Sequence, residues 1–318
     1  MPAIFSSAPG KIILFGEHAV VYDQPAIATP TSEIRCKAYI FPIIDEGHTH
    51  IIEAPDIGLN VNLQDLEENH PLAFVVSRFM EEFNLDHLPS FHLKIVSTIP
   101  VASGMGSSAA TTISIIRALG KFIGQDLSNE LVNQIALDVE KIQHGTPSGV
   151  DNTVITYEEP IFFQINTEHQ ILQINKDIFF IIADSGKNSK TKEIVNDVRE
   201  RWLKNRNHLN ELFVQIGEIS KNARGFLEIG DNIKIGELLT RNQKLLKSLG
   251  VSCEELDTLI EAALDAGAFG AKLCGAGRGG LMVALINQDD YSHVEKALKK
   301  VGAKSTFHLK IKKSDNRK

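Results

Sequence analysis

Three features of the sequence predict a fold that mixes strands and helices in two parts. Short apolar, β-branched runs separated by turns fill the first part. Residues 190–266 carry long, charged, amphipathic helical patterns, and strand patterns return at the end. The change of character places a boundary around residues 170–185.

Taken in order, Lys11–Phe15 reads as a strand and Ala26–Thr29 as a second apolar piece. Ile34–Ile44 is β-branched and extended, and Phe91–Thr98 alternates with period two. Two helices follow. Ser107 to about Phe122 opens on small residues and turns apolar, and Leu131, Ile135, Val139 and Ile142 are spaced for one helical face. Apolar stretches recur at Val154–Tyr157, Ile161–Ile165 and Ile178–Ala183. Leu209, Leu212, Phe213 and Ile216 then mark a long helix. Strands are expected at Leu281–Ile286 and Thr306–Ile311, with a helix near 291–301 between them.

Composition narrows the function classes. A formal charge of −7 argues against a general nucleic-acid binder, which needs a basic face. Cys36, Cys253 and Cys274 are odd in number and lack CxxC spacing, so neither a disulfide scaffold nor a zinc site is expected, and a reducing cytoplasm fits. No signal peptide is visible at the N-terminus. Ile95–Ile116 is uncharged over 22 residues, long enough to span a membrane. It contains Pro100, two glycines and eight Ser or Thr residues, however, and a strand, a loop and a helix start explain it better.

The most informative segment is Pro100-Val101-Ala102-Ser103-Gly104-Met105-Gly106-Ser107-Ser108-Ala109-Ala110, set between a strand and a helix. Its glycines let backbone approach a ligand closely, and the helix behind offers N–H groups and a positive dipole end. That suits nucleotide phosphates. No Gly-Lys-Ser/Thr follows, so it is not a Walker A loop. Read alone, it is also a plain tight turn before a closely packed helix. Gly104-x-Gly106-x-x-Ala109 fits a dinucleotide fingerprint as well, but that needs a second strand ending in an acid about 20 residues on. Another helical pattern, Leu127–Ile142, stands there instead.

Three further segments carry candidate chemistry. Ala8–Tyr22 contains Lys11 at a strand start and Glu17-His18 after a glycine. Glu140–Asp151 places one carboxylate at the end of a helix and another beyond a Gly- and Pro-bearing loop. Lys272–Gly280 (KLCGAGRGG) is glycine-rich between strands. Singly, each is also readable as a surface lysine and turn, solvated carboxylates, or a mobile loop.

Together, and in this order, the segments resemble the signature motifs of the galactokinase/homoserine kinase/mevalonate kinase/phosphomevalonate kinase (GHMP) superfamily: PGKxxLxGEH, PxxxGLGSSAA and KxxGAGxGG. The resemblance spans almost the whole chain. His144–Asn152, Asp184–Glu193 and Asn242–Val251 are similar to its mevalonate kinase branch in particular. Two residues depart from the pattern. Met105 stands for leucine, a volume-conserving change, and Arg278 stands for a small residue, usually glycine.

The resemblance implies an α+β fold, with an N-terminal half similar to a ribosomal-protein domain over residues 1–178 and a ferredoxin-like half over 179–318. It implies ATP and Mg2+ as cofactors, with the 100–110 loop holding the phosphates and Ser108 and Glu140 as magnesium ligands. Asp151 matches the catalytic aspartate, which accepts the substrate hydroxyl proton. Lys11 matches the lysine that contacts this aspartate and the transferring phosphate. Glu17 and His18 match substrate-side positions, the histidine toward the mevalonate carboxylate, with Ser148 and Thr191 as weaker candidates for the same pocket. The activity implied is ATP-dependent phosphorylation of the 5-hydroxyl of (R)-mevalonate by a cytoplasmic enzyme with a small-molecule substrate. No nucleic-acid or membrane partner is expected, and a homodimer is the default assembly. Phosphomevalonate, the mevalonate 3-hydroxyl or a sugar remain as other acceptors. From a different class, so does a non-catalytic nucleotide and metabolite sensor on the same scaffold.

Overall fold

The computed structural model describes residues 3–45, 47–100, 104–144 and 147–315. The chain forms two compact units. The first comprises Met1–Gly10, Ser32–Val101 and Gly106–Glu158, and the second Lys11–Thr31, Ala102–Met105 and Glu159–Lys318.

Two long strands, β1 (Ile4–Phe15) and β2 (Ala26–Pro42), run through both units. The apolar pieces expected at Ala26–Thr29 and Ile34–Ile44 are one continuous strand that carries Pro30 and stops short of Ile44, itself 93% exposed.

In the first unit, β3 (His50–Ala54) lies antiparallel to β4 (Leu59–Asn62) and parallel to β5 (Phe91–Ser97), which pairs antiparallel with β2. The period-two pattern of β5 is realised, with Phe91, Leu93 and Ile95 buried and the residues between them half-buried. Between β4 and β5 runs α1 (Pro71–Glu82), whose proline sits at the first helical position, where its missing N–H is harmless. Three more helices, α2 (Ser107–Phe122), α3 (Asn129–His144) and α4 (Val150–Tyr157), pack with α1 over the sheet. The buried face of α3 is Val132, Ile135, Ala136 and Val139. Leu131 is only half-buried and Ile142 is 44% exposed, so the apolar stripe is turned by one residue from the expected one. The uncharged stretch from Ile95 is the end of β5, a connection and α2; no described helix is long and apolar enough to cross a membrane.

In the second unit, Ala26–Ala28 of β2 pairs with β6 (Ile161–Phe163), and β6 with β7 (Gln170–Ile171). Next come β8 (Ile178–Asp184), then helices α5 (Thr191–Lys204), α6 (Arg206–Ile229), α7 (Asn232–Ser248) and α8 (Glu254–Asp265). β9 (Gly270–Cys274), β10 (Leu281–Ile286), α9 (Tyr291–Lys300) and β11 (Ser305–Ile311) complete the unit. The antiparallel sheet has the order β11-β8-β10-β9. Leu209, Leu212, Phe213 and Ile216 of α6 are all buried, as their spacing predicts. Burying Phe213 or Ile216 contributes roughly 1.5–3 kcal/mol per side chain.

Candidate active site

In the second unit, Lys11 lies within β1, 4% exposed, and its ammonium donates to the Gly104 carbonyl at 2.9 Å. The Lys11 backbone N–H donates to the Met105 carbonyl, also at 2.9 Å. One residue thus holds the turn twice, just before α2 begins. Met105 is fully buried, its carbonyl taken up by the Lys11 N–H.

In the first unit, Gly106 is the N-cap of α2 at φ 72°, a left-handed conformation that suits glycine, and it brings no side chain to cap the first turn. Ser107 and Ser108 open the helix, Ser108 exposed, while Ala109 and Ala110 are buried against the unit's interior. A 16-residue helix beginning this way directs its dipole and first amides at whatever lies before it. Pro100 is half-buried at the loop's start. Val101, Ala102 and Ser103, also expected in the phosphate loop, lie outside the described residues.

Glu140 sits half-buried in the last turns of α3, and Asp151 is half-buried in the first turn of α4 behind Gly149. Asn152 joins them. In the amide orientation that satisfies both its ends, it donates to the Gly149 carbonyl and to Glu140 Oε2, each at 3.0 Å. Ser148 Oγ accepts a long bond from the Val150 N–H at 3.4 Å. The ends of α2, α3 and α4 therefore carry Ser108, Glu140, Ser148 and Asp151 within one unit. Among the described residues no group of three or more His, Cys, Asp or Glu is placed to hold a metal ion. Ser108 and Glu140 nevertheless offer the hard oxygen donors that Mg2+ takes, an ion usually bound by one or two protein groups plus phosphates and water.

After β1 the second unit turns sharply. Glu17, 1% exposed, forms an ion pair with fully buried Lys272 of β9, and Asn242 of α7 donates to its other oxygen at 3.4 Å. The Glu17 carboxylate is thus committed inside the unit. His18, 8% exposed, holds a positive φ of 60° and hydrogen-bonds through Nε2 to the Ala276 carbonyl at 2.9 Å. Since a carbonyl only accepts, Nε2 carries the proton and Nδ1 is a lone-pair acceptor. Burial lowers the His18 pKa to about 4; the Ala276 bond opposes the shift, and Arg201 and Arg278 add to it. The ring is therefore neutral at ordinary pH.

The glycine-rich loop following β9 is held on several sides. Ser189 Oγ donates to the Gly277 carbonyl at 2.7 Å, the Gly280 N–H to the Lys187 carbonyl at 2.8 Å, and the Arg278 N–H to the Val251 carbonyl at 2.7 Å. At Gly277, φ is 85° and a Cβ would fall 2.0 Å from the Val251 carbonyl, so only glycine fits. Thr191 is the exposed first residue of α5, just past Ser189.

Sequence reasoning gave no role to Lys272 and Asn242, although both lie inside segments it singled out. Asp197, the partner of Arg278, and Arg201, which shares that carboxylate, carried no signal of their own.

Two family models match the chain, "GHMP kinases N terminal domain" over residues 69–159 and "GHMP kinases C terminal" over residues 223–304. A curated mevalonate kinase of Thermococcus sibiricus is 34% identical over 317 residues, covering 94% of this chain and 93% of that protein. That of Methanocaldococcus jannaschii is 31% identical, covering 92% and 95%. Among solved structures, L. major mevalonate kinase in complex with R-mevalonate superposes with a TM-score of 0.81 at 28% identity, over 99% of this chain and 97% of that one. The Methanococcus jannaschii mevalonate kinase gives 0.83 at 28% identity, over 96% and 98%.

Proposed function

Given that the chain belongs to the GHMP kinase family, with mevalonate kinases as its curated relatives over nearly the whole length, we propose that it phosphorylates the 5-hydroxyl of (R)-mevalonate with ATP. The observation that carries this reading is the double hold of Lys11 on the Gly104-Met105 turn, directly ahead of α2. A buried cation fixed to the entrance of an anion-binding helix end is what a phosphoryl-transfer site needs, because positioning and charge stabilisation supply most of the catalysis.

In the reaction the 5-oxygen forms a bond to Pγ, the bond from Pγ to the β,γ-bridging oxygen breaks, and ADP leaves. We assign Asp151 to orient the hydroxyl and take its proton. We assign Lys11 to the transferring phosphoryl group, and the backbone of 100–110 to the nucleotide phosphates. Ser108 and Glu140 would hold Mg2+, which neutralises phosphate charge when bound. His18, Ser148 and Thr191 line the acceptor side, and Glu17 stands behind His18. Residues 1–178 and 179–318 correspond in this reading to the family's two domains, and the enzyme works in the cytoplasm on a small molecule, as a homodimer.

The test is ADP release coupled to a spectroscopic reporter, with Mg-ATP and mevalonate beside phosphomevalonate, galactose and homoserine. Turnover on mevalonate, with a primary phosphate ester seen by phosphorus NMR, is the expected result. Turnover on another acceptor only would reassign the substrate; tight ATP binding with no turnover would sink the catalytic reading. Asp151→Asn lowers kcat by roughly 10²-fold or more if the carboxylate handles the proton. A folded variant with near-normal turnover would remove Asp151 from that role.

A further inference from the structure

Arg278 stands where the last glycine-rich motif of the family usually carries a small residue. Its backbone has φ 52°, the left-handed region that favours glycine. A bulky residue persists there only when its surroundings hold it, and three bonds do so. Beyond its N–H bond to Val251, Nε donates to the Gly250 carbonyl at 3.1 Å, and Nη2 meets the Asp197 carboxylate on α5. Asp197 is shared. Arg201 Nη2 lies 3.1 Å from the same carboxylate oxygen, and Arg201 Nη1 donates to the Leu249 carbonyl at 2.7 Å. Two guanidinium groups therefore converge on one carboxylate, and both reach the 249–251 turn. Partial burial pushes the Asp197 carboxyl up, but the two arginines outweigh it and hold the group below its usual range.

Two residues before Arg278, the Ala276 carbonyl receives the His18 proton. Arg201 and Arg278 are the charged groups that act on His18, beside its chain neighbour Glu17, which is paired with Lys272. We propose that Arg278 is a positioning residue: by locking the 275–280 loop to α5 through Asp197, it fixes the Ala276 carbonyl and with it the Nε2–H tautomer of His18, whose Nδ1 faces the acceptor as a hydrogen-bond acceptor. A glycine at 278 has none of these side-chain bonds. It leaves the loop with its backbone contacts and the bonds from Ser189 and His18, and with no tie to α5 through Asp197. The acceptor-binding part of this proposal rests on the kinase reading above; the clamp itself does not.

The two parts are separated by measuring them independently. Following the His18 Nε2–H signal and its exchange with solvent by NMR in the ligand-free protein tests the clamp without any turnover. Arg278→Gly should fold, because glycine suits the backbone, and its His18 Nε2–H signal should broaden and exchange faster with solvent as the Ala276 carbonyl loses its fixed place. Arg278→Lys, which keeps the charge but not the planar fork, should lie between wild type and Arg278→Gly. Asp197→Asn provides a second route to the same loosened loop, should Arg278→Gly be poorly soluble. In turnover assays, Arg278→Gly should raise KM for mevalonate about three- to tenfold, the range left to a partly exposed ion pair acting through one hydrogen bond, with KM for ATP within about twofold. A His18 Nε2–H signal as sharp and as protected in folded Arg278→Gly or Asp197→Asn as in the wild type overturns the clamp, whatever KM does. A broadened, fast-exchanging Nε2–H in variants of a protein that phosphorylates no mevalonate keeps the clamp and overturns the acceptor reading.

Discussion

Removing one partner of the Glu17–Lys272 pair gives the sharpest test of how the second unit holds its first motif. Lys272 is fully buried and Glu17 is 1% exposed, so water cannot replace either partner. In Lys272→Met the carboxylate keeps only the 3.4 Å contact from Asn242, too long to offset its desolvation. Breaking a buried pair from one side costs about 3–5 kcal/mol, and Glu17→Gln should cost a similar amount by stranding the ammonium. The double variant Glu17→Gln/Lys272→Met removes both charges and should recover to within about 1 kcal/mol of wild type, since paired burial itself yields little net stability. Trp202, the only tryptophan, lies in the same unit with its ring centroid 5.1 Å from that of Tyr22. Its emission during urea unfolding therefore reports on the unit that contains the pair. A loss below about 1 kcal/mol in Lys272→Met, or a double variant as damaged as the sum of the singles, would refute the reasoning.

Three more expectations follow from the same geometry. Folded His18 takes up a proton only below about 4, whereas the unfolded residue does so near 6.5. Between those values the unfolded chain binds more protons, so stability is intact above the window and falls by up to about 3 kcal/mol as pH drops through it. A His18→Gln variant should flatten that part of a stability–pH curve measured by urea unfolding. Gly277→Ala, whose Cβ would fall 2.0 Å from the Val251 carbonyl at φ 85°, should cost roughly 1–3 kcal/mol by the same emission assay. Gln243→Leu leaves the Leu273 N–H, which now donates to Gln243 Oε1 at 2.9 Å, buried without a partner. That should lower stability by about 1–3 kcal/mol, and a neutral result would mean that another acceptor takes over.

Local pattern carried much of the fold. The alternation of β5, the small-residue opening of α2 and the apolar run of β10 are each readable within a few residues of sequence. Where packing overrides local preference, the sequence is less transparent. The β-branched residues of Val154–Tyr157 suggest extended chain, yet they lie in α4, which packs on α2 and α3. The face of α3 was displaced by one residue because Val132 and Leu131 are equally apolar and only the neighbouring helices choose between them. At the candidate site, the glycine motifs and their flanking Lys11, Ser108, Glu140 and Asp151 stand out as residue types in a fixed order. The partners of Glu17 and Arg278 do not. Lys272 is 255 positions from Glu17, and Asp197 is 81 from Arg278, separations at which no periodicity operates.

That 255-residue separation has a consequence for synthesis. Chains emerge from the ribosome at about 5–20 residues per second, so Glu17 precedes its lysine by roughly 13–50 s. Over that interval the segment 11–31, which belongs to the second unit, has few of its eventual neighbours, since residues 159–318 are made later. Its apolar residues Ile12, Leu14, Phe15 and Ile27, all fully buried in the finished protein, must meanwhile be kept from other chains. The first motif to be translated is thus among the last to be built, and the nascent chain depends on chaperone cover or slow aggregation for the length of one round of elongation.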